Sequence, residues 1–320
     1  MNDFNDELDS IFADDWPEDH RSGIVAVIGR PNVGKSTLIN RILGEKIAIV
    51  APKPQTTRKQ QLGIYTVEKG QIIFIDTPGI HKPHHKLGEY MVQEAQRALR
   101  DADLIMWIMD LTEPPTPEDF NIADLLKGVE GETPIIIVLN KVDLCEETPD
   151  TVVYTELVAH ERVFTISAQE GLGVNELVEY LLERLPLGPR FYPAEQITER
   201  NMRFTAAEII REKVILHTEK EIPHAVAVVI DSYREYENRV EITAAIYVER
   251  DSQKGILIGK GGQMIKRIGS EARQELIQIV GMPVQLDLRV KVLKNWRKDP
   301  NLTKRLGYSL PKGKNKGKKR

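Results

Sequence analysis

The stretch GIVAVIGRPNVGKSTLINRIL, residues 23–43, decides how the first half of the chain is built. Its opening, GIVAVIG, is a continuous apolar run ending in glycine, the pattern of a buried parallel strand. Its close, STLINRIL, places apolar residues at helical spacing. Between them GRPNVGKS (29–36) matches G-x-x-x-x-G-K-[ST] in the strand–turn–helix setting that a phosphate-cradling loop requires. In such a loop the backbone N–H groups and the helix N-terminus surround anionic phosphates. Lys35 is then expected to bridge the β- and γ-phosphates, and the Ser36 hydroxyl to ligate Mg²⁺. Gly29, Arg30, Pro31, Asn32, Val33, Gly34 and Thr37 complete the expected phosphate site. An ordinary glycine turn is the alternative, and the segments downstream decide against it.

Further buried strands follow at QIIFID (71–76), DLIMWIMD (103–110), PIIIVLN (134–140) and RVFTIS (162–167). Helical stretches, GEYMVQEAQRALRDA and NELVEYLLERL among them, separate these strands. The alternation predicts an α/β domain with a mostly parallel sheet and helices on both faces. Three strand ends carry chemistry. DTPG (76–79) offers Asp76 to hold Mg²⁺ through water and the Gly79 amide to sense the γ-phosphate, with Thr77, Pro78 and Ile80 beside them. NKVD (140–143) offers the Asp143 carboxylate, which can accept two hydrogen bonds from guanine's ring N–H and exocyclic amine. Adenine presents neither in that geometry. Asn140, Lys141 and Val142 brace the loop and the ring. SAQ (167–169) places the Ala168 amide at the guanine oxygen, between Ser167 and Gln169. Four motifs in this order predict a GTP site, and NKVD disfavours a P-loop kinase.

LPLGPRFYPAEQ (185–196), with three prolines and two aromatics, reads as an inter-domain linker. After it come a helix (RFTAAEIIREKVILHTEKE) and two strands (HAVAVVIDSYREY and RVEITAAIYVER). The loop GKGG (259–262), the helical QMIKRIGSEARQELIQIV and a last strand VQLDLRVKV complete a small α+β domain. GKGG lacks the GK[ST] ending, so it places no hydroxyl for Mg²⁺. It suits a G-x-x-G loop of the KH type instead. Gly259 and Gly262 let the backbone approach a nucleic-acid strand, Lys260 meets phosphate, and Gly261, Lys266 and Arg267 complete the expected RNA-binding set. Two strands before the loop match the prokaryotic-type (type II) KH order. The expected division is an acidic, disordered extension (1–21), a nucleotide domain (22–187), a linker (188–202), an RNA-binding domain (203–310) and a basic, disordered tail (311–320).

Composition agrees with a two-domain protein facing a polyanion. The chain has 320 residues, 41% hydrophobic, with a formal net charge of −4. That net figure hides an asymmetry. Residues 1–20 carry eight carboxylates and no Lys or Arg, and LDSIFADDW within them can form a short helix on a partner. Residues 251–311 hold twelve Lys/Arg against five Asp/Glu, and the last nine residues add six positive charges. Such a basic end suits nucleic acid or an anionic membrane surface. No apolar run of about 18 residues predicts a membrane span, and no signal peptide opens the chain. The lone Cys145 reads as a small space-filler in a reducing cytosol. Trp107, inside an apolar strand, reads as core.

GRPNVGKSTL, PQTTRK, DTPG, NKVD and SAQ together resemble the Era family within the Ras-like GTPases. FTAAEIIREK, YVERDSQKGILIGKGGQMIKRIG and RLGY extend the likeness over residues 22–310. The resemblance implies a monomeric, cytoplasmic GTP hydrolase that binds the 3′ region of small-subunit rRNA, assists assembly of that subunit, and associates peripherally with the membrane. It makes Gln55, Thr56, Thr57, Arg58 and Lys59 the first switch. One of the two threonines would ligate Mg²⁺; adjacency leaves the choice open, and Thr57 is preferred. Lys35, Thr57, Gly79 and Asn32 form the expected catalytic set. Ras places a water-orienting glutamine shortly after its D-x-x-G, whereas here Ile80 follows Gly79 and no glutamine is near. Slow hydrolysis is therefore expected. Related GTPases with asparagine at the Asn32 position bind K⁺ beside the phosphates, which implies K⁺ as a second cofactor.

HKPHHK (81–86) offers His81, His84 and His85, but directly after DTPG these read as solvated switch residues rather than a metal site. A membrane-surface GTPase using its basic C-terminus on anionic lipid is the alternative function. The double-GTPase ribosome-assembly factors are disfavoured, because only one phosphate loop of the GK[ST] type is present.

Overall fold

The computed structural model describes residues 17–45, 57–79, 85–129, 131–147, 150–198 and 202–308. Six strands build the first sheet: β1 (Arg21–Ile28), β2 (Gln61–Val67), β3 (Gly70–Asp76), β4 (Leu104–Asp110), β5 (Ile135–Asn140) and β6 (Arg162–Ile166). Their spatial order is β2-β3-β1-β4-β5-β6, parallel throughout except that β2 runs antiparallel to β3. Helices α1 (Lys35–Leu43), α2 (Lys86–Asp101), α3 (Pro117–Lys127) and α4 (Val174–Arg184) cover it. Alternate residues of β1 feed opposite cores. Val25 and Val27 pack with Leu38 of α1 and Leu177 of α4, while Ala26 and Ile28 pack with Leu99 of α2 and Ile122 of α3. Burial on both faces is why these strands are apolar without alternation. Trp107 is fully buried in the second of these cores.

Strand β2 was not expected from the sequence. QLGIYTV lies at the sheet edge, exposes part of one face, and lacks the unbroken apolar run of the central strands. Two further segments are more ordered than their sequence suggests. His20 is buried and its Nδ1 lies 2.7 Å from the Gly188 carbonyl oxygen, and Arg21 opens β1 opposite Gly70, so order begins before residue 22. The proline-rich linker does not hang free. Gln71 binds the Phe191 amide at 2.8 Å and the Tyr192 carbonyl at 2.8 Å, and Ile64 N–H donates to Ile197. The Gln71 amide serves both ends of this contact, accepting from the Phe191 and Tyr192 N–H groups and donating to the Tyr192 carbonyl. The LDSIFADDW segment and the lysine-rich tail lie outside the described residues, as do His81 and His84.

The second domain contains α5 (Met202–His217), β7 (Ala227–Tyr236), β8 (Arg239–Val248), α6 (Asp251–Ile258), α7 (Gln263–Val280), β9 (Val284–Val292) and α8 (Pro300–Arg305). Its sheet runs β7-β8-β9, with the first pair antiparallel and the second parallel. One face is sealed by Ile209 and Ile210 of α5 and by Ile268 and Leu276 of α7. The other face meets the first domain only in part, around Ala227, and is exposed along β9. Leu87, Tyr90 and Met91 of α2 pack with Ala227, Trp296, Leu306 and Tyr308, and the Trp296 and Tyr308 rings stack at 5.8 Å. Among the described residues no helix is long and apolar enough to cross a membrane.

Candidate nucleotide site and basic glycine loop

The first candidate site gathers at the C-terminal ends of β1, β3, β4, β5 and β6, where ligands bind in open α/β sheets. Ser36, at the start of α1, donates from Oγ to Asp76 Oδ2 at 2.8 Å. Thr57 Oγ1 lies 3.2 Å from each of those atoms. Two hydroxyls and a carboxylate thus converge from three separate segments. These are hard oxygen donors, the set that suits Mg²⁺. Thr57 is buried, whereas Gln55, Thr56 and Ile80 lie outside the described residues.

Lys35 is also buried, and its Nζ donates to the carbonyls of Gly29 (3.0 Å) and Arg30 (2.9 Å) inside its own loop. Burial pushes its pKa down to about 8, against the pull of Asp76. A buried cation whose direct hydrogen bonds go to carbonyls, with Asp76 near by, is poised to favour an incoming anion. Gly79 runs so close to this loop that an added Cβ would lie 2.8 Å from the Pro31 nitrogen. Thr77 is fully buried and anchors that turn to the Val27 carbonyl at 2.8 Å. Asn32 takes a left-handed conformation at φ 66°, one of the few positions where a non-glycine residue does so.

The loops expected at the base are tied to the phosphate loop by side chains. Asn140 donates from Nδ2 to the Val33 carbonyl at 2.8 Å and accepts at Oδ1 from the Ala168 amide at 2.9 Å. One side chain therefore spans the phosphate loop and the SAQ turn. Lys141, left-handed at φ 72°, places Nζ 2.5 Å from Asp110 Oδ2. Asp143 stands exposed in a one-turn 3-10 helix, Val142–Leu144. Glu170 N–H donates to Ser167 Oγ at 2.9 Å, which closes the turn around Ala168 and Gln169.

Two contributors escaped the sequence reading. Asp110 ends β4 and joins Lys141 to Arg30, whose guanidinium also pairs with Glu113 and Asp119. Burial alone would raise the Asp110 pKa, but hydrogen bonds from Lys141 and Thr112 hold it below the usual carboxylate range. Its signal was available: it is the first polar residue after an apolar strand, the position that Asp76 and Asn140 also occupy. Arg41 of α1 donates to the carbonyls of Ala168 and Gln169 and fixes the SAQ turn from the other side. The histidine segment is described only at His85, which caps α2 by accepting from Gly88 N–H at 3.1 Å.

The second loop is built differently. Gly259 ends α6 at φ 71°, Lys260–Gly262 make a 3-10 turn, and Gly262 at φ 77° starts α7. Lys260, Lys266 and Arg267 are exposed. Arg267 is engaged by Glu271 at 3.1 Å, so the free positive charge of this face rests on the two lysines, which pair with no described carboxylate.

Both halves match known families. Residues 24–141 match the family model of the 50S ribosome-binding GTPase, and residues 221–297 match that of the KH domain. A structure of Era in complex with MgGDPNP and nucleotides 1506–1542 of 16S ribosomal RNA is 39% identical. It covers 91% of this chain and 100% of its own, with a TM-score of 0.86. The chain belongs to the Era family. A variant of Aquifex aeolicus Era bound to GDP.AlF4⁻ is likewise 39% identical over 91% of this chain and 100% of its own, with a TM-score of 0.85. This Era-family chain is accordingly a GTPase with a KH domain behind its G domain, as its motifs and its strand order predict.

Proposed function

We propose that the chain is a GTP-operated switch that binds the 3′ region of small-subunit rRNA and assists maturation of that subunit. The observation that carries this reading is the pairing of two sites in one chain: an oxygen-donor cluster beside buried Lys35, and an exposed basic glycine loop opening α7. It is supported by the relative that holds MgGDPNP and a 16S rRNA fragment together. In this reading Lys35 and the backbone N–H groups of the loop Gly29–Thr37, all but that of Pro31, which has none, hold the phosphates. Asp143 reads guanine, while Asn140, Lys141, Ser167, Ala168 and Gln169 shape its pocket. Ser36 and Thr57 hold Mg²⁺ directly and Asp76 through water. The metal would neutralise charge developing on the phosphate oxygens. The Gly79 amide senses the γ-phosphate, and Lys260, Gly261 and Lys266 meet the RNA backbone. The functional units are residues 22–187 and 203–310, joined by 188–202.

Reciprocal linkage gives the test. If RNA prefers the GTP state, RNA must tighten the binding of a GTP analogue by the same factor. Titration of GDP- and GMPPNP-loaded protein with RNA of 16S nucleotides 1506–1542 measures it. Equal affinity in both states removes the switch, and binding to anionic vesicles in place of RNA favours the membrane-surface alternative. Within the same reading Asn32 recruits K⁺ beside the phosphates; equal hydrolysis rates in NaCl and KCl would exclude that.

A further inference from the structure

Thr57 and Arg58 are neighbours in sequence and face different domains. Thr57 Oγ1 sits with Ser36 and Asp76. Arg58, only 1% exposed, reaches across to the second domain, where its guanidinium donates to the carbonyls of Val226 (2.6 Å), Pro223 (2.8 Å) and His224 (3.1 Å). Those carbonyls belong to the one-turn helix Ile222–Ala225 and the residue after it, which lead into β7. A helix end leaves its last carbonyls without intrahelical donors. Here Arg58 takes three, and Trp296 Nε1 takes the one between them, donating to Ala225 at 2.9 Å. Stripping a buried guanidinium of three carbonyls is costly, and the Tyr308 hydroxyl beside it belongs to the second domain as well, so Arg58 is tied to that domain.

We propose that Arg58 is the positioning residue through which the state of the nucleotide site sets the posture of the KH domain. Consecutive Cα atoms are held about 3.8 Å apart by a planar peptide, so a shift of Thr57 off the Ser36–Asp76 cluster cannot leave the Arg58 backbone in place. The guanidinium then either drags the entry to β7 or releases it. Next along the chain, Lys59 packs over the Phe204 and Tyr308 rings, and Gln60 Nε2 donates to the Glu94 carbonyl of α2 at 2.7 Å. Arg58 alone of these three holds second-domain backbone through side-chain hydrogen bonds. The inference rests on the reading above that nucleotide and RNA binding are linked.

The test uses the full chain loaded with GDP or GMPPNP and titrated with RNA of 16S nucleotides 1506–1542. The quantity read is the ratio of the two dissociation constants. For the unmodified protein a ratio of about tenfold is expected, within the usual span of allosteric coupling. Arg58→Gln and Arg58→Lys should bring it to within about twofold of one. Both variants should melt cooperatively, which separates lost coupling from lost folding. Leu302→Ala loosens the same interface without touching the guanidinium, and should keep the ratio. A folded Arg58→Gln or Arg58→Lys protein that keeps the full ratio overturns the proposal, as does equal loss in Leu302→Ala. A ratio of one in the unmodified protein instead overturns the underlying switch reading, before any variant is made.

Discussion

The two glycine-rich loops have similar composition and opposite construction. In the phosphate loop an added Cβ on Gly34 would lie 2.2 Å from Asn140 Nδ2, a side chain more than a hundred residues further on. Around Gly261 and Gly262 of the second loop a Cβ would meet nothing within 4 Å. Lys35 is buried and bonded, whereas Lys260 is exposed and pairs with no described carboxylate. The first loop is thus one wall of a site whose other walls come from distant segments, a design suited to enclosing a small ligand. The second is an open convex turn that a polymer must complete by lying across it. In the phosphate loop Gly29 and Gly34 serve close approach as well as a positive φ, whereas Gly261 and Gly262 of the second loop serve backbone conformation alone. Each loop should therefore fail in its own way when changed.

The largest effect is expected where the enclosed site is selective. Asp143→Asn exchanges a charged acceptor for an amide that donates. Two hydrogen bonds to a charged group are worth about 1.5–3 kcal/mol each. GTP affinity should fall by about 100-fold or more while xanthosine triphosphate gains, measured by competition binding, and RNA affinity without nucleotide should not change. Unaltered guanine selectivity would break the assignment of the walls. The open loop should respond less steeply and to salt. Lys260→Asp combined with Gly261→Asp should weaken RNA binding by about tenfold or more and reduce the slope of log affinity against log salt by about 1. Basal GTP hydrolysis and lipid binding should be unaffected. A matching loss of hydrolysis would mean that the two loops are less separate than their construction indicates.

How far these differences could be read in the sequence depends on distance along the chain. Asp76, Asn140 and Ser167 were legible because each ends an apolar strand, and a parallel sheet brings all such ends to one edge. The paired strands and the basic loop of the second domain were legible for the same local reason. Strand β2 was not, since an edge strand buried on one face carries no unbroken apolar signature. Asp110 also ends an apolar strand, but no nucleotide motif surrounds it, and only the fold brings Arg30 and Lys141 to it. Arg58 was legible as part of the first switch, but its bonds to residues 223–226 depend on how two domains dock. No periodicity within either domain encodes that. The Arg267–Glu271 pair went unread although its i,i+4 spacing lies in the sequence, and it tempers the expected RNA contact.

The smallest expected effect is also the sharpest probe of the comparison. Gly261 has φ 59° and ψ 20°, a left-handed conformation, with no neighbour in the way of a side chain. Gly261→Ala should therefore cost only the backbone preference, about 1 kcal/mol, which is about fivefold in an equilibrium. Gly261→Asn should cost less, because asparagine tolerates this region. If glycine is needed at this place only for its φ, both variants should keep RNA affinity in proportion to their thermal stability. If it is needed because the RNA backbone lies against the Cα, alanine and asparagine should weaken RNA binding well beyond their effect on melting, with asparagine the worse for its bulk. The order of the two variants in RNA affinity, set against their order in melting temperature, tells whether the open loop stays open when its ligand arrives or becomes a crowded site like the first.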